Sequence, residues 1–179
     1  STQKNVVLIV GGSLGAFSIN EAVKHNLSLI LENNIQVIWQ TGRNYYENAQ
    51  LELQKHTGKG VWVSPFIDRM DLAYAAADLV VSRAGAIAIS EICALQKPTI
   101  LVPSPNVAED HQTKNAQALV NMQAALLIKD SEVLSTLGAT VVNLISDHNQ
   151  LHKLKERIAR LSYRDAANNI AGVILTMIK

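Results

Sequence analysis

Residues 5–16 read Asn-Val-Val-Leu-Ile-Val-Gly-Gly-Ser-Leu-Gly-Ala, and this stretch decides the fold. Val6–Val10 is a continuous aliphatic run without polar alternation, the pattern of a strand buried on both faces in a parallel sheet. Gly11, Gly12 and Gly15 follow at once, and a stretch of helical period, Ser18–Leu31, comes next. Strand, glycine turn and helix in that order open a βα unit. The same grammar then repeats. Strands are expected at Asn5–Val10, Ile35–Gln40, Gly60–Val63, Asp78–Ser82, Pro98–Val102 and Ala124–Ile128. Amphipathic stretches lie between them at Tyr45–His56, Met70–Ala76, Ala86–Leu95 and Glu109–Met122. Three more helices, Glu132–Ile145, Leu151–Leu161 and Asp165–Ile178, close the chain. Six strands joined by right-handed helical crossovers predict an α/β fold, a Rossmann-like doubly wound parallel six-stranded sheet.

Composition narrows the classes. A chain of 179 residues that is 48% hydrophobic fits one domain over residues 1–179 with an ordinary core, and it argues against disorder. Sixteen Lys and Arg against fifteen Asp and Glu leave a net charge of +1, so no nucleic-acid partner is expected. No apolar run approaches the roughly 18 residues of a membrane span. The start, Ser1-Thr2-Gln3-Lys4, has no apolar signal region behind it, and the single cysteine, Cys93, allows no internal disulfide. A cytoplasmic location is expected.

In doubly wound sheets ligands sit at the carboxyl ends of the strands, so three loops must carry the chemistry. The loop Gly11–Ala16 offers close backbone approach and helix-start amides suited to an anion. It lacks the Gly-Lys-Ser/Thr ending of a P-loop. The second strand ends Trp39-Gln40-Thr41-Gly42, without the acid a dinucleotide site needs. A nicotinamide cofactor is therefore disfavoured.

The loop after the fourth strand reads Ser82-Arg83-Ala84-Gly85-Ala86-Ile87-Ala88-Ile89-Ser90-Glu91. Rossmann order sets the first and fourth strands side by side, so two glycine-containing loops face one crevice, an arrangement suited to a diphosphate. Glu91 is either an acceptor for two vicinal hydroxyls, as a ribose offers, or a first-turn acid favouring the helix dipole. The loop after the fifth strand runs from Pro103 to Ala116 and places Glu109, Asp110, His111 and Gln112 at a helix start, with groups suited to a sugar. His25, His56, His148 and His152 read as helix-surface residues. No Ser/His/Asp set, metal-spaced cluster or carboxylate pair appears, and no cofactor or metal is expected.

Together these loops resemble the donor-binding half of the MurG-type N-acetylglucosaminyltransferases, family 28 enzymes of two-domain glycosyltransferase B (GT-B) architecture. The matching residues are Gly11–Ala16 with Asn20, then Phe66–Met70, Ala76 and Asp78–Ala86 through Ser90-Glu91. Pro98, Val102-Pro103, Asp110–Gln112 and Asn115-Ala116 complete them. The similarity runs from about Val6 to the last helix. The resemblance implies a C-terminal domain that binds UDP-N-acetylglucosamine, partnered by an N-terminal domain for a lipid-linked muramyl-pentapeptide acceptor. It implies inverting transfer from UDP to a hydroxyl without an obligatory metal.

By the same resemblance, Gly12, Ser13, Leu14 and Gly15 belong to the loop against the diphosphate, and Asn20 is a further donor-binding position. Phe66, Ile67 and Met70 lie at the uracil, with Ile67 backbone groups reading the base edge. Arg83 and Gly85 are donor-binding positions, and the helix-start amides of Ala86, Ile87 and Ala88 face the phosphates. Glu91 holds the ribose, and His111 and Gln112 reach the sugar. Leu14 stands where the family often has glutamine, and Ala88 where threonine is common. At this length the chain is expected to be an excised donor domain without its own catalytic base. A stand-alone donor subunit, a non-catalytic nucleotide-binding module and an oxidoreductase cofactor domain are the competing readings.

Overall fold

The computed structural model describes residues 4–107, 110–162 and 166–178. Its strands are β1 (Asn5–Val10), β2 (Ile35–Gln40), β3 (Val61–Ser64), β4 (Leu79–Ser82), β5 (Thr99–Leu101) and β6 (Leu126–Leu127). Its α-helices are α1 (Phe17–Glu32), α2 (Tyr46–Gln54), α3 (Met70–Ala76), α4 (Ala86–Ala94), α5 (His111–Asn121), α6 (Val133–Ser146), α7 (His148–Ala159) and α8 (Ala166–Met177). The strands form one sheet in the order β3-β2-β1-β4-β5-β6, with every pair parallel. This is the doubly wound order expected from the sequence, and β1 lies beside β4 at the point where the order reverses.

Alternate residues of the inner strands feed two cores. Val7, Ile9, Val37, Trp39 and Val81 pack with α1 and α6 on one face. Leu8, Val10, Val80 and Leu101 pack with residues of α3, α4 and α5 and with Ile158 of α7 on the other. β5 and β6 are shorter than their apolar runs suggest, and the ladder between them has two residue pairs. α7 begins three residues earlier than its apolar period implies, because the Asp147 carboxylate accepts from the Gln150 amide at 2.9 Å and caps the helix. Two expected helix-start residues, Glu109 and Asp165, lie outside the described residues.

α1 and α6 meet at Gly138. A Cβ there would fall 2.5 Å from Asn26 Oδ1 and 2.7 Å from Asn26 Cβ. Asn26 is held in place, because its Nδ2 donates to Ala22 O at 2.8 Å and across the helix pair to Leu134 O at 2.9 Å. Gly138→Ala gains about 1 kcal/mol of helix propensity but incurs overpacking of about 1–3 kcal/mol and displaces a bridging side chain. The expected result is a net destabilisation of about 1 kcal/mol, read as a lower urea midpoint. An unchanged or higher midpoint would show that the helices can separate without cost.

Candidate functional site

The loop Gly11–Ala16 leaves β1 and turns tightly, with Gly15 N donating to Gly12 O at 3.1 Å. Gly15 has φ +82°, and a Cβ there would lie 2.2 Å from Thr41 O. A Cβ on Gly42 would lie 2.4 Å from Leu14 O. The glycine loop thus rests directly on the backbone that follows β2, and only glycine permits that approach. A cavity of about 520 Å³ opens above it, lined by Gly11–Ser18, Arg83, Ser104–Asn106, Gln112 and Asp130. Leu14 is 86% exposed, so its side chain stands out from the loop and the backbone remains available.

Arg83 lines this crevice chiefly as a staple. Its Nη1 donates to Val102 O and Pro103 O, both at 3.1 Å, and to Asp130 Oδ1 at 2.5 Å. Its Nη2 donates to Ser18 Oγ at 2.9 Å, and Ser18 in turn donates to Asp130. The guanidinium therefore joins the ends of β4 and β5 to α1, with its charge matched by a carboxylate in the same wall. Gln112 performs a parallel task. Its Oε1 accepts from Ser104 N at 3.0 Å and Ala84 N at 3.3 Å, linking the loops after β4 and β5. His111 precedes it as the exposed first residue of α5.

α4 starts at Ala86 behind Gly85, with no side-chain cap and no acid in its first turn. The amides of Ala86, Ile87 and Ala88 are consequently open to an external acceptor. Glu91 is the sixth helical residue, so the first-turn reading of this acid is incorrect: a dipole interaction fades within the first turn. Its Oε2 accepts from the hydroxyl of buried Tyr74 at 3.2 Å. Burial first, and then the adjacent Glu91 charge, push the Tyr74 phenol above its usual range, so it remains a donor. An exposed carboxylate is thereby held in one orientation by a buried phenol.

Phe66 and Ile67 line a second cavity of about 490 Å³ with Ile38, Trp62 and Leu72. Phe66 is 52% exposed while Ile67 is buried, and half-buried Met70 begins α3. The Ile67 amide donates to Gln40 Oε1 at 3.2 Å, so one of the two backbone groups expected at a base edge already has a protein partner. Asn20 is not in either cavity. It is 1% exposed beneath the glycine loop, accepting from Trp39 Nε1 at 2.9 Å and donating to Thr41 O at 2.8 Å. Its place is to support the Thr41 peptide on which Gly15 rests. Gln40, Thr41, Ser18, Tyr74 and Asp130 are the site residues that sequence reasoning passed over. Gln40 and Thr41 stood in a segment read only for its missing acid, and nothing local marks the other three. Among the described residues, no group of three or more His, Cys, Asp or Glu is placed to hold a metal ion.

The profile of the glycosyltransferase family 28 C-terminal domain matches residues 6–170. The chain belongs to glycosyltransferase family 28. Two curated members of the family carry the name UDP-N-acetylglucosamine--N-acetylmuramyl-(pentapeptide) pyrophosphoryl-undecaprenol N-acetylglucosamine transferase. The one from Parabacteroides distasonis is 49% identical over 178 residues, covering 99% of this chain and 48% of that protein. The one from Porphyromonas gingivalis is 51% identical over 178 residues, covering 99% of this chain and 47% of that protein. The crystal structure of Acinetobacter baumannii MurG shares the fold with a TM-score of 0.83 at 28% identity, over 98% of this chain and 53% of that one. The chain spans about half the length of the curated family 28 relatives it matches. The resemblance to MurG-type transferases, and the GT-B half that it implied, agree with these findings.

Proposed function

We propose that residues 1–179 are the donor-binding domain of an inverting hexosyltransferase that takes N-acetylglucosamine from UDP-N-acetylglucosamine. Its acceptor is the lipid-linked muramyl-pentapeptide of peptidoglycan synthesis, converted from lipid I to lipid II. One observation carries this reading: the glycine loop after β1 and the uncapped start of α4 open side by side at the reversal of strand order. Each offers backbone amides to an anion, and the two phosphates of a diphosphate can take one set each. Gly12 and Ser13 bind one phosphate, with Gly15 closing the turn that presents them, and Ala86–Ala88 bind the other. Glu91, oriented by Tyr74, accepts from the ribose hydroxyls. Phe66 and Met70 border the uracil beside Ile67, while His111 and Gln112 reach the sugar.

The transfer step itself needs a hydroxyl acceptor and a group to take its proton. Both belong to an N-terminal acceptor domain partnering this one, and the complete protein works at the cytoplasmic face of the membrane that holds the lipid acceptor. This chain's contribution is to hold the leaving UDP, neutralising by backbone donors the charge that develops on the diphosphate. The test is calorimetric titration of UDP and UDP-N-acetylglucosamine into the folded chain. Both are expected to bind weakly, since no second domain closes over the ligand. Transferase activity is expected to be absent from the chain alone, even with acceptor supplied. A folded sample that gives no heat with millimolar UDP would overturn the reading.

A further inference from the structure

Gln40 ends β2 with its side chain buried, 2% exposed, between the two loops assigned to opposite ends of a nucleotide. Its Nε2 donates to Gly12 O at 3.1 Å, and its Oε1 accepts from Ile67 N at 3.2 Å. The next two residues also tie the segment before Phe66: Thr41 N donates to Ser64 O at 3.0 Å, Gly42 N to Pro65 O at 3.1 Å, and Thr41 Oγ1 to Ser64 O at 3.4 Å. We propose that Gln40 is a positioning residue that holds the nucleobase loop in register with the diphosphate loop, so that a nucleoside diphosphate is recognised as one unit. This inference rests on the donor-site reading above.

The chemistry of the position is specific. A carboxamide presents a donor at one end and an acceptor at the other. Glutamate would turn an anionic oxygen toward the Gly12 carbonyl, and methionine would keep the length while offering neither bond. The two loops do not depend on Gln40 equally. The glycine loop keeps its own Gly15 N to Gly12 O bond and its seat on Thr41. The Ile67 amide, by contrast, has Gln40 as its partner. Removing the carboxamide should therefore spare the phosphates and loosen the base.

The experiment titrates inorganic pyrophosphate, UDP and ADP into the wild-type chain and Gln40→Met, with amide hydrogen exchange followed at Ile67. In Gln40→Met, pyrophosphate affinity should stay within about twofold. UDP affinity should fall about tenfold, equivalent to 1.4 kcal/mol, and its preference over ADP should shrink toward unity. In the wild type, pyrophosphate alone should slow exchange at Ile67, a readout that survives if the variant does not fold. Parallel loss of pyrophosphate and UDP with base preference intact would mark a merely structural residue and overturn the proposal. Tighter UDP binding by Gln40→Met would overturn it too, by showing that the base competes with Gln40 for the Ile67 amide. Ile67 exchange indifferent to pyrophosphate has the same force. Wild type that binds pyrophosphate but neither nucleotide overturns the donor-site reading and this inference with it, whereas normal wild-type binding with an unaltered variant overturns this inference alone.

Discussion

Gly15→Ala is expected to weaken UDP binding by at least about thirtyfold, the equivalent of roughly 2 kcal/mol. Two costs coincide at this residue. Its φ of +82° lies in the left-handed region, where a side chain costs about 1–2 kcal/mol. The added Cβ also meets backbone: Thr41 O at 2.2 Å, Thr41 C at 3.0 Å and Gly42 Cα at 3.2 Å. No flexible side chain is present to yield, and overpacking of this kind costs about 1–3 kcal/mol more. The loop can relieve the clash only by lifting from β2, which moves the amides assigned to the diphosphate. The matched control is Gly172→Ala on α8, where an added Cβ meets nothing within 4 Å. That variant should bind UDP like the wild type. If Gly15→Ala binds UDP within twofold of the control, the glycine loop is not the diphosphate site.

Glu91→Gln is expected to lower UDP affinity about tenfold or more while leaving the thermal midpoint nearly unchanged. Glutamine keeps the shape and can still accept from Tyr74 Oη, so the packing around α4 survives. What it loses is charge: hydrogen bonds to an ionised group contribute about 1.5–3 kcal/mol, against roughly 1 kcal/mol for neutral ones. Because Glu91 is the sixth residue of α4, the change should cost little helix-dipole stabilisation. Tyr74→Phe probes the same contact from behind. It leaves the carboxylate intact but unoriented, so UDP affinity should fall by a smaller factor, about threefold to fivefold, as for one neutral hydrogen bond. Paired calorimetry and thermal melts on the two variants decide the matter. Unchanged affinity with a depressed midpoint would make Glu91 a support for Tyr74 and leave the ribose without its assigned partner.

The architecture was legible along the chain. Val6–Val10 reads as a strand buried on both faces because both faces are covered, by α1 and α6 on one side and α3, α4 and α5 on the other. Helical periods between such strands call for right-handed crossovers and a doubly wound sheet, and the order β3-β2-β1-β4-β5-β6 is one that meets them. The glycine loop, the start of α4 and the first turn of α5 could likewise be placed along the chain, since each sits between a strand and a helix.

The roles of the polar side chains near those loops became visible with the fold. Asn20 carries a family-like position yet lies under the loop, bound to Trp39 and Thr41. Arg83 spans 47 residues of sequence to reach Asp130 and 65 to reach Ser18, and Gln40 spans 28 and 27 to reach Gly12 and Ile67. The physical reason lies in what each kind of signal reports. Periods of 2 and 3.6 residues record which face of an element is buried, because hydrophobic burial is collective and non-directional. A hydrogen bond is pairwise and directional, so its partner is set by where the chain returns in space and leaves no period in the sequence.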